Sequence, residues 1–207
     1  IVGSVGLAVE ALLRAPRQGG PAAQAGRGPA TPLTLTDPLT DAMLVQTLQD
    51  LRPVDSIIVE EAPSTRSATQ RYLPISRPES FFTCASGGLG HSMPAAVGVA
   101  LGMGDRKSAR KVIAMIGDGS AMYAVQSLWS AAQLRLPITF VIVNNSRYQA
   151  LHHFSQRFGI TAPVGTDLPG IDFVGLAKAQ GCEGVRVTRA ADLAPALKSA
   201  FAAAAPT

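Results

Sequence analysis

KVIAMIGDG, residues 111–119, joins a predicted buried strand to a turn built from Gly117, Asp118 and Gly119. A continuous apolar run is typical of a strand that is buried on both faces of a parallel sheet. The two glycines let the backbone turn sharply and approach a ligand closely, and a helix starting there would offer N–H groups to an anion. Because ligands of open α/β sheets bind at the carboxyl ends of strands, this turn is a candidate functional site.

The same alternation of elements continues on both sides of this stretch. Further strands are predicted at residues 56–59, 138–143 and 184–187, and helices at 5–13, 39–51, 94–101, 122–134, 173–179 and 191–203. Apolar strands separated by helices predict a doubly wound α/β fold, in which a parallel sheet has right-handed crossovers and helices on both faces.

The composition indicates a folded domain with an appendage. Of the 207 residues, 47% are hydrophobic, which excludes disorder for most of the chain. Residues 14–37 are rich in Pro and Gly and lack periodicity, so we assign residues 1–37 to the tail of a preceding domain plus a linker, and 38–207 to one domain. Since the sequence opens with Ile1, we expect it to be part of a longer protein.

Charge and hydropathy exclude two classes of partner. The net charge of +4 is scattered without a run of like charges, so nucleic acid is not an expected partner. No stretch approaches the ~18 apolar residues of a membrane span. Cys84 and Cys182 match no metal-ligand spacing and are predicted to be reduced, buried thiols, which favours a cytoplasmic protein.

A second polar turn follows the predicted strand at 138–143. Asn144 and Asn145 come directly after it, and Asn145 lies 27 residues (145 − 118) after Asp118, about the length of one strand–helix unit. A carboxylate in an anion-binding turn is explained if a hard cation, Mg²⁺ or Ca²⁺, lies between it and a phosphate. Either turn alone is typical of ordinary loops, but together they predict a metal-bridged phosphate site.

This pair of turns resembles the diphosphate-binding domain of thiamine diphosphate-dependent enzymes, in which Gly-Asp-Gly precedes a double Asn. Within that family, four further segments are similar to benzoylformate decarboxylases, and the similarity covers about residues 34–203: FTCASGGLG (82–90), MPAA (93–96), LWSAAQ (128–133) and PGIDF (169–173). The resemblance implies the thiamine diphosphate-binding fold, thiamine diphosphate and Mg²⁺ as cofactors, and a 2-keto acid substrate. It identifies the chain as the C-terminal fragment of a carboxy-lyase, a 2-keto acid decarboxylase.

The resemblance also implies roles for single residues. Asp118, the Asn145 side chain and the backbone carbonyl of Arg147 would hold the metal. Leu89 would force the cofactor to bend and the Gly87 carbonyl would accept a hydrogen bond from its aminopyrimidine, which makes these two the catalytic candidates. The remaining cofactor contacts would come from Gly117, Gly119, Ser120, Tyr148 and Ser64. The substrate pocket would be lined by Ala150, Leu151 and Phe154.

Three positions depart from the pattern of the family. His91 replaces an aromatic residue and is predicted to pack or to cap a helix, Gln149 replaces Gly, and Pro63 replaces a hydroxyl contact to the diphosphate. Helical spacing predicts core packing for Trp129. The adjacent His152 and His153 point in different directions on a helix and are expected to be surface or packing residues.

The resemblance places the activating glutamate and the catalytic histidines outside these residues. They would lie in an N-terminal pyrimidine-binding domain and a middle domain of the same or a partner chain, in a homodimer or homotetramer. The fragment alone is therefore expected to be inactive. Two alternatives stay open: an acetolactate synthase-like carboligase, and a non-catalytic diphosphate-binding or assembly module.

Overall fold

The computed structural model describes residues 4–14, 30–104 and 110–207, and the backbone but not the side chain of Leu12. They divide into two units, Ile1–Thr31 and Pro32–Thr207. In the first unit, helix α1 (Val5–Arg14) carries an ion pair between Glu10 and Arg14, 3.3 Å apart. Most of the predicted linker lies outside the described residues, and the assignment of 1–37 to a preceding domain stays a prediction.

The second unit alternates helices and strands. Its elements, in chain order, are α2 (Asp41–Leu51), β1 (Ile57–Glu61), a short 3-10 helix (Pro63–Thr65), α3 (Arg66–Tyr72), β2 (Phe81–Thr83), α4 (Ser92–Gly102), β3 (Val112–Gly117), α5 (Asp118–Ala121), α6 (Ser127–Gln133), β4 (Ile138–Val143), α7 (Gln149–Arg157), α8 (Phe173–Ala179) and α9 (Ala190–Ala202).

The four strands form one parallel sheet in the order β2-β1-β3-β4. The register pairs Glu61 with Ile116 and Gly117 with Val143, so β1, β3 and β4 end at the same edge. This edge carries the candidate site. The backbone of Thr207 lies beside the start of β4. Its N–H donates to the Ile138 carbonyl (3.0 Å), and its carbonyl accepts from the Phe140 N–H (2.7 Å).

Alternate strand residues feed two hydrophobic cores, one on each face of the sheet. On one face, Ile57, Val59, Val112, Ala114 and Ile116 pack with residues of α4, α6 and α8. On the other face, Ile58, Ile113 and Met115 pack with α2, α3 and α9. Helices therefore cover both faces, and the predicted doubly wound α/β fold is confirmed.

Several predicted elements differ from the structure. The strand predicted at 184–187 is wrong, because these residues join no ladder in the described structure. Of the helix predicted at 122–134, only Ser127–Gln133 is helical and forms α6. The residues before Ser127 form a series of turns. Elements α3 and β2 lie in a stretch that sequence reasoning treated as polar and irregular. None of the described helices has the length and apolar character that a membrane span needs.

Candidate functional site

Asp118 is the first residue after β3 and is almost fully buried, with 3% of its surface exposed. Its Oδ1 accepts a hydrogen bond from the Gly119 N–H at 2.8 Å, and its Oδ2 accepts one from the Arg147 N–H at 3.2 Å. The extended backbone of Gly117 leads directly into the four-residue helix α5. So short a helix has little macrodipole, and the anion preference expected from a long helix here does not apply.

The turn after β4 is shaped by its two asparagines. The Asn144 Oδ1 accepts from the Ser146 N–H at 3.0 Å, and the Asn145 Oδ1 accepts from the Arg147 N–H at 3.2 Å. Such bonds to a backbone N–H two residues further on are a common reason for Asn in turns. Ser146 has a φ of 59°, in the left-handed region that few non-glycine residues adopt.

The two turns converge on one atom. The Asp118 Oδ2 and the Asn145 Oδ1 each lie 3.2 Å from the backbone nitrogen of Arg147, so they can be no more than twice that distance apart. One Mg²⁺ ion would bring these two oxygens to within about 4.2 Å of each other, because each Mg–O bond is about 2.1 Å long. Oxygen atoms of carboxylates, amides and backbone carbonyls are the ligands that Mg²⁺ prefers in proteins, so these residues fit such an ion.

The backbone of Arg147, and not its charged side chain, contacts Asp118 and Asn145. Its guanidinium points to Asp167, with Nε 3.9 Å from the carboxylate Oδ1. Its carbonyl oxygen accepts from the Gln149 N–H at 3.0 Å and keeps a second lone pair. In the described ranges no group of three or more His, Cys, Asp or Glu could hold a metal. An ion here would therefore depend on amide and carbonyl oxygens beside a single carboxylate.

Gly119 and Tyr148 join the two turns by direct packing. A Cβ atom on Gly119 would lie 2.5 Å from Cε1 and 2.6 Å from Cδ1 of the tyrosine ring. The ring of Tyr148 also meets Tyr123 edge to face, with centroids 6.5 Å apart. Burial, followed by the neighbouring Tyr123 and Asp118, raises the pKa of Tyr148, which therefore keeps its hydroxyl proton at neutral pH. Ser120 is buried beside this turn.

The loop with Gly87 and Leu89 precedes α4 and depends on positive φ angles. Gly87 has a φ of 71° and is exposed, whereas Leu89 is half-buried. Gly90 has a φ of 92°, and a Cβ atom there would lie 2.8 Å from the Tyr123 Cβ. Glycine is therefore required at residue 90 both for backbone conformation and for space.

A buried carboxylate that sequence reasoning gave no role, that of Glu61, fixes the start of α4. Its Oε1 accepts from the Gly90 N–H (2.6 Å), and its Oε2 accepts from the N–H groups of His91 (2.9 Å) and Ser92 (2.7 Å). The side chain is 2% exposed and lies at the carboxyl end of β1. An acidic residue at the end of an apolar strand is the sequence signal that could have revealed it.

The buried carboxylate of Glu60 also has a structural role. Its carboxylate accepts from the Ala62 N–H at 2.7 Å and from the Thr83 hydroxyl at 3.0 Å, and it pairs with Arg66 at 3.5 Å. These bonds tie the end of β1 to β2 and α3. Both acids of this strand therefore have structural partners.

The remaining predicted site residues lie on two elements, the 3-10 helix after β1 and helix α7. Ser64 is exposed in the 3-10 helix after β1, next to Pro63. Ala150, Leu151 and Phe154 lie on α7, where Leu151 and Phe154 are exposed. The structure thus joins Asp118, Gly119, Asn145, Arg147 and Tyr148 by direct contacts. It places Ser64 in the 3-10 helix after β1, and Gly87 and Leu89 in the loop before α4.

Other expectations for single residues have mixed outcomes. Trp129 is 56% exposed, so its predicted core packing is wrong, because α6 turns its neighbours Leu128 and Ala131 to the core instead. Cys84 is half-buried, with its Sγ 3.1 Å from the Ser86 Oγ, which corrects the prediction of a buried thiol. His91 precedes α4, but its side chain makes no capping hydrogen bond.

Comparisons with known proteins show which family the chain resembles. A sequence model described as "Thiamine pyrophosphate enzyme, C-terminal TPP binding domain" matches residues 63–207; thiamine pyrophosphate is thiamine diphosphate. Benzoylformate decarboxylase from Pseudomonas aeruginosa (strain PAO1) is 38% identical over 204 residues, 98% of this chain and 38% of that protein. The acetolactate synthase isozyme 2 large subunit of Escherichia coli (strain K12) is 29% identical over 157 residues, 74% of this chain and 28% of that protein.

A solved structure supports the same relationship. The thiamine diphosphate-dependent 4-hydroxybenzoylformate decarboxylase of Rhodococcus jostii RHA1 superposes with a TM-score of 0.78 and 43% identity, over 86% of this chain and 33% of that chain. The chain spans well under half the length of each of these relatives. The chain belongs to the thiamine pyrophosphate enzyme family, as the resemblance predicted, and residues 63–207 match the C-terminal TPP-binding domain of that family.

Proposed function

We propose that residues 38–207 bind the diphosphate of thiamine diphosphate through Mg²⁺, and that the whole protein is a 2-keto acid decarboxylase of the benzoylformate type. The observation that carries this proposal is the convergence of the Asp118 Oδ2 and the Asn145 Oδ1 on one nitrogen. A site with one carboxylate and otherwise neutral oxygens leaves a bound divalent cation with net positive charge, which suits a diphosphate.

In this proposal each turn supplies part of the cofactor site. The Asp118 carboxylate, the Asn145 amide oxygen and the Arg147 carbonyl hold the metal. The diphosphate oxygens are contacted from the surrounding turns, where small residues permit close backbone approach and hydroxyls donate hydrogen bonds. These contacts are assigned to Gly117, Gly119, Ser120, Tyr148 and Ser64.

The protein contributes geometry to the reaction. When bound, thiamine diphosphate supplies the nucleophilic carbon and the electron sink for decarboxylation. Leu89 would support the bound cofactor in its bent form, and the Gly87 carbonyl would accept a hydrogen bond from its aminopyrimidine. The apolar side chains of Leu151 and Phe154, with Ala150, form one wall of a pocket for an aromatic 2-keto acid.

The rest of the machinery comes from outside these residues. We assign the activating glutamate and the catalytic histidines to a pyrimidine-binding domain and a middle domain of the same or a partner chain, in a homodimer or homotetramer. Exposed apolar side chains on and just after α7, Leu151, Phe154 and Phe158, support an interface of this kind. The two unpaired cysteines support a cytoplasmic location.

A second candidate is an acetolactate synthase-like carboligase, which the similarity to the Escherichia coli protein supports. The whole protein, supplied with benzoylformate or pyruvate, distinguishes the two by its products. Release of benzaldehyde and CO₂ supports the decarboxylase, whereas acetolactate from pyruvate supports the carboligase. A non-catalytic diphosphate-binding module would bind the cofactor in the whole protein but yield neither product.

Calorimetry on the 207-residue chain tests the binding part of the proposal. Thiamine diphosphate should bind in the presence of Mg²⁺ and not in EDTA, and Asp118→Ala should abolish the Mg²⁺-dependent binding. Asp50→Ala changes an exposed carboxylate at the end of α2 and should bind like the wild type. Unchanged cofactor affinity in Asp118→Ala would reject the metal assignment. Substantial turnover by the isolated chain would reject our account of the external domains.

A further inference from the structure

We infer that His152 is a positioning residue for the turn after β4, an inference that rests on the proposed metal site. It acts through a segment that we name the strap, residues 166–168. The strap runs antiparallel beside the turn, with Arg147 paired to Asp167. The Tyr148 N–H donates to the Thr166 carbonyl, and the Leu168 N–H donates to the Ser146 carbonyl, both at 2.7 Å.

The strap contacts both turns of the candidate site. Its hydrogen bonds to residues 146 and 148 hold the backbone on either side of Arg147, whose carbonyl is a proposed metal ligand. On the β3 side, the Leu168 side chain lies next to Gly119, where a Cβ atom would be 3.4 Å from its Cδ1. A contact that holds the strap in place therefore also holds the turn that carries Asn145 and Arg147.

His152 binds the strap from α7. Its backbone N–H donates to the Tyr148 carbonyl at 3.2 Å, which places the residue one helical turn beyond the site. Its Nε2 lies 2.9 Å from the Thr166 Oγ1 and 3.2 Å from the Asp167 Oδ1. The imidazole is 18% exposed and Thr166 is buried, whereas the Asp167 side chain is 65% exposed, so the contact with Thr166 is the protected one of the two.

The partners determine where the protons lie. An ionised Asp167 can only accept, so the Nε2 of His152 carries a proton and donates. The same N–H can be shared with the Thr166 hydroxyl oxygen, whose own proton is then directed to the Pro163 carbonyl, 3.5 Å away. Neutral and protonated imidazole can both donate from Nε2, so the contact does not depend on a change of charge.

The adjacent histidine provides a matched control. The His153 Nε2 lies 2.8 Å from the amide nitrogen of Gln149, one turn earlier in the same helix, and its side chain is exposed. The two histidines share helix, chemistry and neighbourhood. They differ in that His152 binds the strap.

Amide hydrogen exchange on the chain without cofactor tests this inference. In His152→Ala, the N–H groups of Tyr148 and Leu168 should exchange about tenfold faster, the change expected when one hydrogen bond is lost. His152→Gln, which can donate from a similar position, should restore exchange to within about threefold of the wild type. Thr166→Val should act like His152→Ala, and His153→Ala should exchange like the wild type. Unchanged exchange in His152→Ala and Thr166→Val would overturn the inference.

Mn²⁺ binding connects the strap to the metal site. Binding of Mn²⁺ at saturating thiamine diphosphate is measured by electron paramagnetic resonance, since the signal of free Mn²⁺ falls as the ion binds. The affinity for Mn²⁺ should be about tenfold weaker in His152→Ala than in the wild type. Affinity should recover in His152→Gln and stay at the wild-type value in His153→Ala. Equal Mn²⁺ affinity in wild type and His152→Ala would overturn the positioning role. A wild-type chain that binds no Mn²⁺ would instead overturn the proposed function, while the exchange measurement would still decide whether His152 holds the strap.

Discussion

The ring of Tyr148 occupies the space that a side chain on Gly119 would need, since a Cβ atom there would lie 2.5 Å from its Cε1. The two residues belong to the turns after β4 and β3, respectively. Their contact therefore sets the separation of the two turns that carry Asn145 and Asp118. A substitution that pushes the ring away should disturb cofactor binding without touching a proposed metal ligand.

Gly119→Ala should lower the free energy of unfolding by about 1–3 kcal/mol, the usual cost of overpacking, and weaken binding of thiamine diphosphate with Mg²⁺. Urea denaturation and calorimetry measure the two effects. Gly98→Ala is the matched control, because nothing lies within 4 Å of a Cβ atom on this glycine of α4. It should be neutral or slightly stabilising, since Ala favours helix over Gly. Unaltered stability and affinity in Gly119→Ala would contradict the role of this contact.

Glu61→Gln should destabilise the chain by about 2 kcal/mol. An amide that replaces the carboxylate keeps one accepting oxygen but turns an NH₂ group towards buried N–H donors, so at least one donor loses its partner. Urea denaturation measures the change against Glu183→Gln, which alters an exposed acid. Equal stability of the two variants would show that the start of α4 does not need the charge of Glu61.

Lys111 should make stability depend on alkaline pH. Burial lowers its pKa from 10.5 to about 8, while its Nζ donates to the Ala203 carbonyl at 3.0 Å. Between these two pKa values the unfolded chain binds more protons than the folded one, so stability should rise with pH through this window. Because Lys111 is only half-buried, we expect a gain of about 1 kcal/mol from pH 7.5 to 10 relative to Lys111→Met.

Urea denaturation across that pH range checks the gain. Lys198→Met removes an exposed lysine of α9 and should keep the alkaline rise of the wild type. Parallel pH profiles of the wild type and Lys111→Met would contradict the assignment of the rise to Lys111.

Leu89→Ala in the whole protein should lower kcat for benzoylformate decarboxylation about 10–100-fold and change cofactor affinity much less. The reason is that a poorly supported cofactor binds but is badly oriented for reaction. Steady-state kinetics and calorimetry separate the two quantities. Leu101→Ala, at an exposed position near the end of α4, serves as control and should retain wild-type kinetics. A normal kcat in Leu89→Ala would remove this residue from the mechanism.

The two cysteines should differ in reactivity. The hydrogen bond from Ser86 lowers the pKa of Cys84, whereas burial raises the pKa of Cys182, whose thiol donates to the Leu128 carbonyl at 3.4 Å. At pH 7.5 iodoacetamide should therefore modify Cys84 at least about tenfold faster, as followed by mass spectrometry. Ser86→Ala should slow labelling of Cys84 and leave Cys182 unaffected. Comparable labelling rates of the two thiols would contradict this prediction.

The sequence predicted β1, β3 and β4 because each is a nearly continuous apolar run that packs on both faces. It also predicted that Asp118 and Asn145 would follow neighbouring strands, which the register of Gly117 with Val143 explains. These features depend on local composition and on the length of one strand–helix unit. They were therefore accessible without knowledge of tertiary contacts.

The features that the sequence did not predict depend on distant partners. Strand β2 has only three residues and exists because it pairs with β1, whereas residues 184–187 have a strand-like composition but no ladder in the described structure. The same holds for Glu61, whose three donors lie about 30 residues further along the chain. The sequence does not predict the strap either, because Thr166 and His152 are 14 residues apart and come together only in the folded chain.

The carboxylate of Glu61 also affects which molecules this edge of the sheet can hold. The N–H groups of Gly90, His91 and Ser92 at the start of α4 would otherwise attract a phosphate group, but they already donate to the Glu61 carboxylate. We therefore expect an anionic ligand to bind at the turns after β3 and β4 rather than at the start of α4. The buried carboxylate of Glu61 thus limits where on this edge of the sheet an anion can bind.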